Sequence, residues 1–252
     1  MREPSTGRPV GAGLPPTLCE RLAAGRWLRT AHGGAPYAAL SNTAGAIEAA
    51  VALGVDVIEV DVRATADGCL VLWHDEDVVV GERHLPIAAT PLAALRALDL
   101  GDGVRVLELH EVAGLVGDRA TLMLDLKEDG LERGIVEALR GSPFEPVVVC
   151  GHYWGSMREI ERQVPGTAVS LTLDRKWQDL YGPALIERLD SAAVTVDWRV
   201  LDPALVARCH ARGLAVLAWT VDEPALMRRV LALGVDGLTS NRPDLFAAVE
   251  AE

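Results

Sequence analysis

Residues 52–62 read Ala-Leu-Gly-Val-Asp-Val-Ile-Glu-Val-Asp-Val, and this stretch joins a helical segment to a β-rich one. Gly54 takes the place at which a glycine in the left-handed conformation ends a helix, and a strand is expected to begin a few residues later. The first five residues recur at positions 232–236, and residues 212–214 (Arg-Gly-Leu) form a similar joint. Repeated joints of this kind indicate a fold built from βα units.

The alternation of β-rich and helical segments extends from Trp27 to the end of a chain of 252 residues. The pattern predicts strands at residues 29–32, 57–62, 69–74, 121–127, 147–150, 168–173, 193–196, 215–220 and 237–240. It predicts helices at residues 44–53, 91–98, 109–116, 131–140, 203–211, 224–233 and 243–250. About eight βα units in roughly 250 residues favour one closed (β/α)8 TIM barrel over an open doubly wound sheet. We therefore predict a single barrel domain at residues 27–252 and a loose N-terminal arm at residues 1–26, with one helical turn near residues 18–24.

Charge and composition exclude several classes of protein. Acidic residues outnumber basic ones by 36 to 24, and the formal net charge is −12. This balance argues against a nucleic-acid-binding protein and against docking on anionic lipid. No apolar run reaches the roughly 18 residues of a membrane span, and residues 1–16 lack the apolar region of a signal peptide. The four cysteines are far apart without metal-site spacing, so we predict free thiols and a cytoplasmic location.

Charged residues within two predicted strands mark the candidate site. Side chains alternate along a strand, so Glu59 and Asp61 share one face of the segment at residues 57–62. Asp125 and Lys127 share one face of the segment at residues 121–127. The apolar residues on the opposite faces are Ile58, Val60, Val62, Leu122, Leu124 and Leu126. These apolar faces are expected to pack on the helices, which places three carboxylates and one ammonium inside the barrel.

Two interpretations of these buried charges remain open. Three carboxylates from two strands suit a hard divalent cation, Mg²⁺ or Ca²⁺, with positions left for water or substrate. Alternatively, the charges form a structural ion-pair network in which Lys127 pairs with Asp125 or Glu59. We favour the cation, because two adjacent inward pairs of charges are hard to explain as packing.

Histidines and tryptophans also follow predicted strands. His32 and His74 each end a segment, and beside the acidic residues they are candidates for an acid–base couple, since imidazole titrates near neutral pH. His152 follows another segment and is expected to line the same pocket. The tryptophans at or just after strand ends are Trp73, Trp154, Trp198 and Trp219. Together they predict an apolar wall that suits a substrate with a bulky apolar part.

These residues belong to a longer ordered set of short motifs. The set comprises Ala31-His-Gly-Gly34, Ser41-Asn-Thr43, Ile58-Glu-Val-Asp-Val62, Asp67-Gly68, His74-Asp75, Leu124-Asp-Leu-Lys127, Ala218-Trp-Thr-Val221, Gly234-Val-Asp-Gly237 and Thr239-Ser-Asn-Arg-Pro-Asp244. On these motifs the sequence resembles the glycerophosphodiester phosphodiesterase family over residues 29–245.

The resemblance implies a (β/α)8 barrel and a role for each of several residues. The implied acid–base pair is His32 and His74. The implied ligands of the divalent cation are Glu59, Asp61 and Asp125. Lys127 would contact the substrate phosphate, and Trp219 would line the alcohol side of the substrate.

The chain departs from the family's motifs at three places. The family has His-Arg-Gly where this chain has His32-Gly33-Gly34, Glu-Asn-Thr where it has Ser41-Asn42-Thr43, and usually Glu where it has Asp125. Without the arginine, an open space is expected at Gly33 beside the phosphate, together with a weaker grip on the anion. The arginines expected to supply part of this contact are Arg63, which shares a strand face with Glu59 and Asp61, and Arg175 or Arg199 from loops.

The function implied is the metal-dependent hydrolysis of a glycerophosphodiester-like substrate to an alcohol and a phosphomonoester by histidine acid–base catalysis. One alternative is a related lysophospholipase D or a cyclising phosphodiester lyase, whose end product is a cyclic phosphate. Another is a diverged barrel that binds phosphodiesters with altered or no turnover. The expected partner is a small-molecule phosphodiester, with a bulky apolar alcohol, and neither nucleic acid nor an integral membrane segment is expected.

Overall fold

Eight parallel strands form a closed barrel in the computed structural model, which describes residues 9–101, 103–140, 147–181 and 183–251. The strands in chain order are β1 (Leu28–His32), β2 (Val57–Ala64), β3 (Leu70–Leu72), β4 (Asp77–Val80), β5 (Arg83–Pro86), β6 (Leu107–Glu108), β7 (Thr121–Leu126), β8 (Val148–Gly151), β9 (Ala168–Leu173), β10 (Ala193–Asp197), β11 (Ala215–Trp219) and β12 (Gly237–Ser240). The barrel order is β1, β2, β7, β8, β9, β10, β11 and β12, and β1 closes it by pairing with both β2 and β12. The predicted (β/α)8 barrel is confirmed.

The α-helices lie before the first strand, between the strands and after the last strand. They are α1 (Pro16–Ala23), α2 (Ala44–Ala52), α3 (Leu92–Arg96), α4 (Val112–Val116), α5 (Glu132–Leu139), α6 (Trp154–Gln163), α7 (Arg175–Tyr181), α8 (Pro203–Ala211), α9 (Pro224–Leu231) and α10 (Phe246–Glu250). Within the described part of the chain, no helix is both long enough and apolar enough to cross a membrane. The cytoplasmic location stays a prediction.

The two faces of β2 follow the predicted alternation. Ile58, Val60 and Val62 are fully buried in the main hydrophobic cluster, which lies between the barrel and its helices. Glu59 and Asp61 are also buried, with 4 % and 2 % of their surface exposed, but they belong to the barrel interior. The strand therefore carries apolar packing on one side and charge on the other, as its period of two requires.

The segment before β1 packs against the N-terminal end of the barrel. Its helix α1 has eight residues and is longer than the single turn predicted near residues 18–24. Leu14 and Leu18 are buried in one cluster with Leu28 and Val57, which stand at the starts of β1 and β2. Because inward-facing residues at the strand starts are apolar, a helix that brings leucines to them removes a large apolar area from water.

An insertion between β2 and β7 carries its own small core. After the turn at Gly68, β3 runs antiparallel to β2, and β6 pairs antiparallel with β3. The hairpin of β4 and β5 was not predicted, because its second strand is mostly exposed and shows no apolar alternation. The buried residues of this core are Val71, Val78, Ile87, Leu92, Leu95 and Val106. The insertion fixes the loop that carries His74.

Leu18 provides a test of the contribution of α1. Leu18→Ala is expected to lower the free energy of unfolding by about 2–5 kcal/mol, because it leaves a cavity in a buried cluster. Leu53→Ala is the control, since Leu53 is 37 % exposed and a surface change of this kind usually shifts stability by less than about 0.5 kcal/mol. Urea unfolding followed by circular dichroism measures both. If Leu18→Ala lowers the free energy of unfolding no more than Leu53→Ala does, the packing of α1 does not stabilise the barrel.

Candidate active site

Three carboxylates meet inside the mouth of the barrel. Glu59 and Asp61 come from β2 and Asp125 from the neighbouring β7, where Asp61 and Asp125 are directly paired in the strand register. One oxygen from each lies within 4.8 Å of the other two. The predicted convergence follows from two facts: alternation puts the groups on the inner face, and the register places them at the same height.

Backbone and amide donors of the loop between β1 and α2 hold two of these carboxylates. The Gly33 N–H donates to Glu59 Oε2 at 2.9 Å. Asn42 Nδ2 donates to Asp61 Oδ2 at 2.6 Å, and Asn42 Oδ1 accepts from the Asp61 N–H at 3.0 Å. The Thr43 side chain, at the N-cap of α2, makes no capping hydrogen bond. Asn42 takes a φ of +63°, which asparagine tolerates better than most residues, and so reaches Asp61.

Lys127 lies between two of the carboxylates. Its Nζ is 2.5 Å from Asp125 Oδ2 and 2.7 Å from Asp61 Oδ1. The ion pairs of the structural interpretation are therefore present, with Asp61 in place of Glu59 as the second partner. They do not balance the charge, because three carboxylates face one ammonium. Asp61 Oδ1 is moreover buried without a hydrogen bond of favourable geometry, although the ammonium is close to it.

Burial and mutual repulsion alter the acidity of this cluster. Burial, together with the charges of Asp61 and Asp125, raises the pKa of Glu59 well above its usual range. Burial also disfavours the Asp61 carboxylate, but the Lys127 charge and the hydrogen bonds from Lys127 and Asn42 outweigh it, and they hold the pKa of Asp61 below its usual range. For Lys127, burial is outweighed by the three carboxylates, which raise the pKa of the ammonium and keep it charged.

The three carboxylates fit a divalent cation. Three oxygen ligands from rigid strands suit a hard cation such as Mg²⁺ or Ca²⁺. With all three carboxylates ionised, two negative charges remain after Lys127 is counted, and a divalent cation would neutralise them. Asp61 Oδ1 is buried with the Lys127 ammonium 2.7 Å away, and its second lone pair would suit such an ion.

His32 ends β1 with one ring nitrogen held by a chain of hydrogen bonds. Its Nδ1 is 2.7 Å from Asn241 Oδ1, and Asn241 Nδ2 donates to Asp222 Oδ2 at 2.9 Å. Because the Asn241 amide must present its oxygen to His32, the neutral imidazole carries its proton on Nδ1. The free Nε2 lies 4.0 Å from Glu59 Oε2. Sequence reasoning missed Asn241 and Asp222 as positioning residues, although Asn241 lies within a quoted motif.

His74 stands on the insertion loop, where Arg63 holds its backbone. The Arg63 guanidinium donates two hydrogen bonds to the His74 carbonyl, at 3.1 and 2.8 Å, and lies 3.6 Å from Glu128 Oε2. The His74 imidazole is exposed, and its Nδ1 is 2.8 Å from Asp75 Oδ1. The predicted phosphate contact of Arg63 stays a prediction, and the contacts observed favour a role in positioning His74.

A cavity of about 320 Å³ opens above the acidic cluster. It is lined by His32, Glu59, His74, Met123, Asp125, Leu126, Lys127, Cys150, His152, Tyr153, Thr172, Thr195, Trp219 and Thr239. Of the predicted acid–base pair, cation ligands and Lys127, only Asp61 is outside this wall, and it is buried. Arg63 is also outside it. The cavity thus brings three imidazoles, one ammonium and two of the three carboxylates to one small volume.

Comparison with known proteins identifies the family. Residues 32–128 and 147–245 match the glycerophosphoryl diester phosphodiesterase family. The chain belongs to this family. The glycerophosphodiester phosphodiesterase of Caldanaerobacter subterraneus subsp. tengcongensis is 30 % identical over 239 residues, which cover 85 % of this chain and 93 % of that protein. The glycerophosphodiester phosphodiesterase of Bacillus subtilis is 26 % identical over 258 residues, covering 91 % and 88 %.

Solved structures of similar proteins share the barrel. A phosphodiesterase from Oleispira antarctica, in complex with the product sn-glycerol-3-phosphate, matches with a TM-score of 0.79 and 23 % identity, covering 90 % of this chain and 98 % of that one. The glycerophosphodiester phosphodiesterase of Thermotoga maritima matches with a TM-score of 0.75 and 20 % identity, covering 88 % and 98 %. The fold is therefore that of the family's barrels, and the chain is a hydrolase by its family membership.

The space expected in place of the family's arginine is absent. Gly33 has a φ of +61°, and a Cβ built on it would lie 1.9 Å from Ser41 Oγ. Ser41 stands where the family has glutamate, so the two departures from the family's motifs touch each other. The prediction of open space at Gly33 is wrong, because the serine hydroxyl fills it.

The wall of four tryptophans is also absent. Trp219 lines the cavity, whereas Trp73 packs in the core of the insertion and donates from Nε1 to the Asp77 carbonyl at 3.0 Å. Trp198 lies under the guanidinium groups of Arg199 and Arg229. Position at a strand end did not place these rings together, since Trp73 follows an antiparallel strand and the loops turn the others apart. Trp154 lines a different cavity.

Gly33 and Gly54 form a matched pair for testing the contact with Ser41. Gly54 has a φ of +65° and nothing within 4 Å of a Cβ built on it. Gly54→Arg should therefore lower the free energy of unfolding by about 1–2 kcal/mol, the usual cost of a left-handed non-glycine residue. Gly33→Arg should lower it further, because Ser41 must move. Adding Ser41→Gly should remove that excess in urea unfolding, and a persistent excess would mean that Ser41 does not fill the space.

Proposed function

We propose that this chain hydrolyses a glycerophosphodiester to an alcohol and a phosphomonoester, using a divalent cation and two histidines. The observation that carries the proposal is that His32 and His74 line one cavity with Glu59, Asp125 and Lys127. Membership of the glycerophosphoryl diester phosphodiesterase family supports it. So does the Oleispira antarctica relative, whose structure contains sn-glycerol-3-phosphate as product.

The cation is assigned to the acidic cluster. Glu59, Asp61 and Asp125 would hold it, and when bound it would act as a Lewis acid on a phosphodiester oxygen. Lys127 is held by Asp61 and Asp125, and from the cavity wall its ammonium contributes positive charge toward the phosphate. His152 and Trp219 line the same cavity and are assigned to the substrate's alcohol groups.

Proton transfer is assigned to the two imidazoles. Asn241 holds Nδ1 of His32 and Asp75 lies beside Nδ1 of His74, so in each ring Nε2 is the atom left for the substrate. One histidine takes the proton of the attacking hydroxyl, which belongs to water or to the neighbouring hydroxyl of the glycerol. The other gives a proton to the oxygen of the leaving alcohol as the P–O bond breaks. When the glycerol hydroxyl attacks, a cyclic phosphate forms and water then opens it.

A phosphodiester panel tests the reaction and the cation together. We expect turnover of glycerophosphodiesters with Mg²⁺ or Ca²⁺, loss of turnover with chelator, and a phosphomonoester as the final product in phosphorus NMR. Asp125→Asn should abolish cation binding in calorimetry and lower kcat by at least about a hundredfold, because one of three ligands loses its charge. Glu137→Gln, at an exposed carboxylate paired with Arg133, is the control.

Two outcomes of that panel would replace the proposal. A cyclic phosphate that accumulates without opening would indicate a cyclising lyase. Saturable binding of phosphodiesters with no turnover under any cation would indicate a binding protein. Turnover that survives chelator and Asp125→Asn would remove the cation from the proposal.

The histidines have a test of their own. His32→Ala and His74→Ala are each expected to lower kcat by roughly 10²–10⁴ with little change in unfolding, as for loss of a general acid or base. His84→Ala is the matched control, because His84 is an exposed histidine paired with Asp77 on the insertion hairpin. Steady-state kinetics at saturating cation measures all three. A histidine whose alanine variant keeps the wild-type kcat has no part in proton transfer.

A further inference from the structure

A second cavity, which we call the side cavity, adjoins the catalytic one. It has a volume of about 660 Å³ and is built by the segments that follow β8 and β9. His152 and Thr172 line both cavities. The side cavity therefore meets the catalytic cavity at these two residues, on the C-terminal face of the barrel.

The catalytic cavity contains polar groups that lack a hydrogen-bond partner within the described part of the chain. The catalytic cavity is rich in polar groups, and two of these, Trp219 Nε1 and Thr239 Oγ1, are buried without a hydrogen-bond partner among the described residues. Unpartnered donors and hydroxyls of this kind suit the hydroxyl groups of a glycerol phosphate.

The side cavity is mostly apolar. Its apolar lining consists of Trp154, Leu171, Trp177, Leu180, Leu185 and Leu189. Its polar lining consists of His152, Thr172, Asp174, Lys176 and Arg188. Leu180 is 73 % exposed, more than any other large hydrophobic side chain in the described part of the chain. An exposed leucine beside buried tryptophan and leucine walls indicates a surface that an apolar group covers.

We propose that the side cavity binds the apolar part of the leaving alcohol, so that this chain prefers glycerophosphodiesters of alkyl or aryl alcohols. The inference rests on the proposed function. Its orientation follows from where the unpartnered groups and the apolar wall lie: the catalytic cavity offers Trp219 Nε1 and Thr239 Oγ1 to glycerol hydroxyls, whereas the tryptophans and leucines of the side cavity would bury an alkyl or aryl group. The apolar end of the diester therefore passes His152 and Thr172 into the side cavity, and the glycerophosphate remains above the acidic cluster.

A homologous series of substrates tests this assignment. Glycerophosphodiesters of methanol, butanol, hexanol and octanol should show kcat/KM rising by up to roughly fourfold for each methylene that is buried. The double variant Leu180→Asn with Leu185→Asn should keep the wild-type kcat/KM for the methyl ester and lower that for the octyl ester by at least about tenfold. Leu53→Asn, at an exposed leucine outside both cavities, should leave the whole series unchanged. Leu180→Asn alone is the second variant, because a substitution at this exposed position is expected to leave folding unchanged.

The alternative orientation, in which the side cavity binds an apolar chain attached to the glycerol, is tested with a different substrate. A lysophospholipid carries its chain on the glycerol and has a short leaving alcohol, so it should be a poorer substrate than the octyl ester. If it is the better one, the assignment to the leaving alcohol is overturned. A flat series with normal turnover of the methyl ester would overturn the side cavity assignment and leave the proposed function standing.

A readout that needs no catalysis separates the two proposals further. Octanol alone should change the tryptophan fluorescence of the wild type saturably, and the Leu180→Asn variants should bind it more weakly. If no ester is turned over while octanol still binds in this way, the proposed function fails and the side cavity remains an apolar alcohol site. If octanol does not bind, the side cavity assignment fails.

Discussion

Uncompensated negative charge at the mouth of the barrel is the constraint on which the site depends. Three carboxylates and one ammonium are withdrawn from water there, and each buried charge costs several kcal/mol unless it is paired. Hydrogen bonds from the loop after β1 offset part of this cost. The Gly33 N–H donates to Glu59, and the Asn42 side-chain amide donates to Asp61. Gly33 and Asn42 both adopt positive φ, and in this backbone conformation they donate hydrogen bonds to the carboxylates. The remaining two negative charges are what make the cluster suited to a divalent cation.

The barrel and the acidic cluster were predictable because both follow from periodicity. A strand has a period of two, and a charged pair such as Glu59 and Asp61 within an apolar run can face only one side. Asn42 and Asn241 were not predictable as positioning residues, because they act from loops on residues distant in sequence. Arg63 lies on β2, and its strand face pointed only to the barrel interior. No local pattern tells that the Arg63 guanidinium donates to the His74 carbonyl. The insertion hairpin was missed for a related reason, since its exposed strand has no apolar face.

A missing side chain in a motif does not by itself create a space. Gly33 replaces an arginine of the family's motif, yet the position is closed, because Ser41 Oγ lies where a Cβ would stand. The two substitutions are compatible with each other: a small serine approaches a residue without a side chain and holds the loop by contact. The tryptophans show likewise that the presence of side chains at strand ends does not by itself create a shared surface. Their strand-end positions suggested one wall, but packing distributes Trp73 and Trp198 to other places.

Chemistry and substrate preference are carried by different parts of the barrel. Strands β1, β2 and β7 supply His32 and the acidic cluster, which are rigid and fixed by hydrogen bonds. The side cavity is built after β8 and β9, by loops and short helices whose side chains make few polar contacts with the cluster. Loops on a rigid scaffold tolerate substitution better than the strands do. Because His152 and Thr172 are the residues of the described chain that line both cavities, changes elsewhere in the side cavity can alter the alcohol that binds while the carboxylates keep their positions.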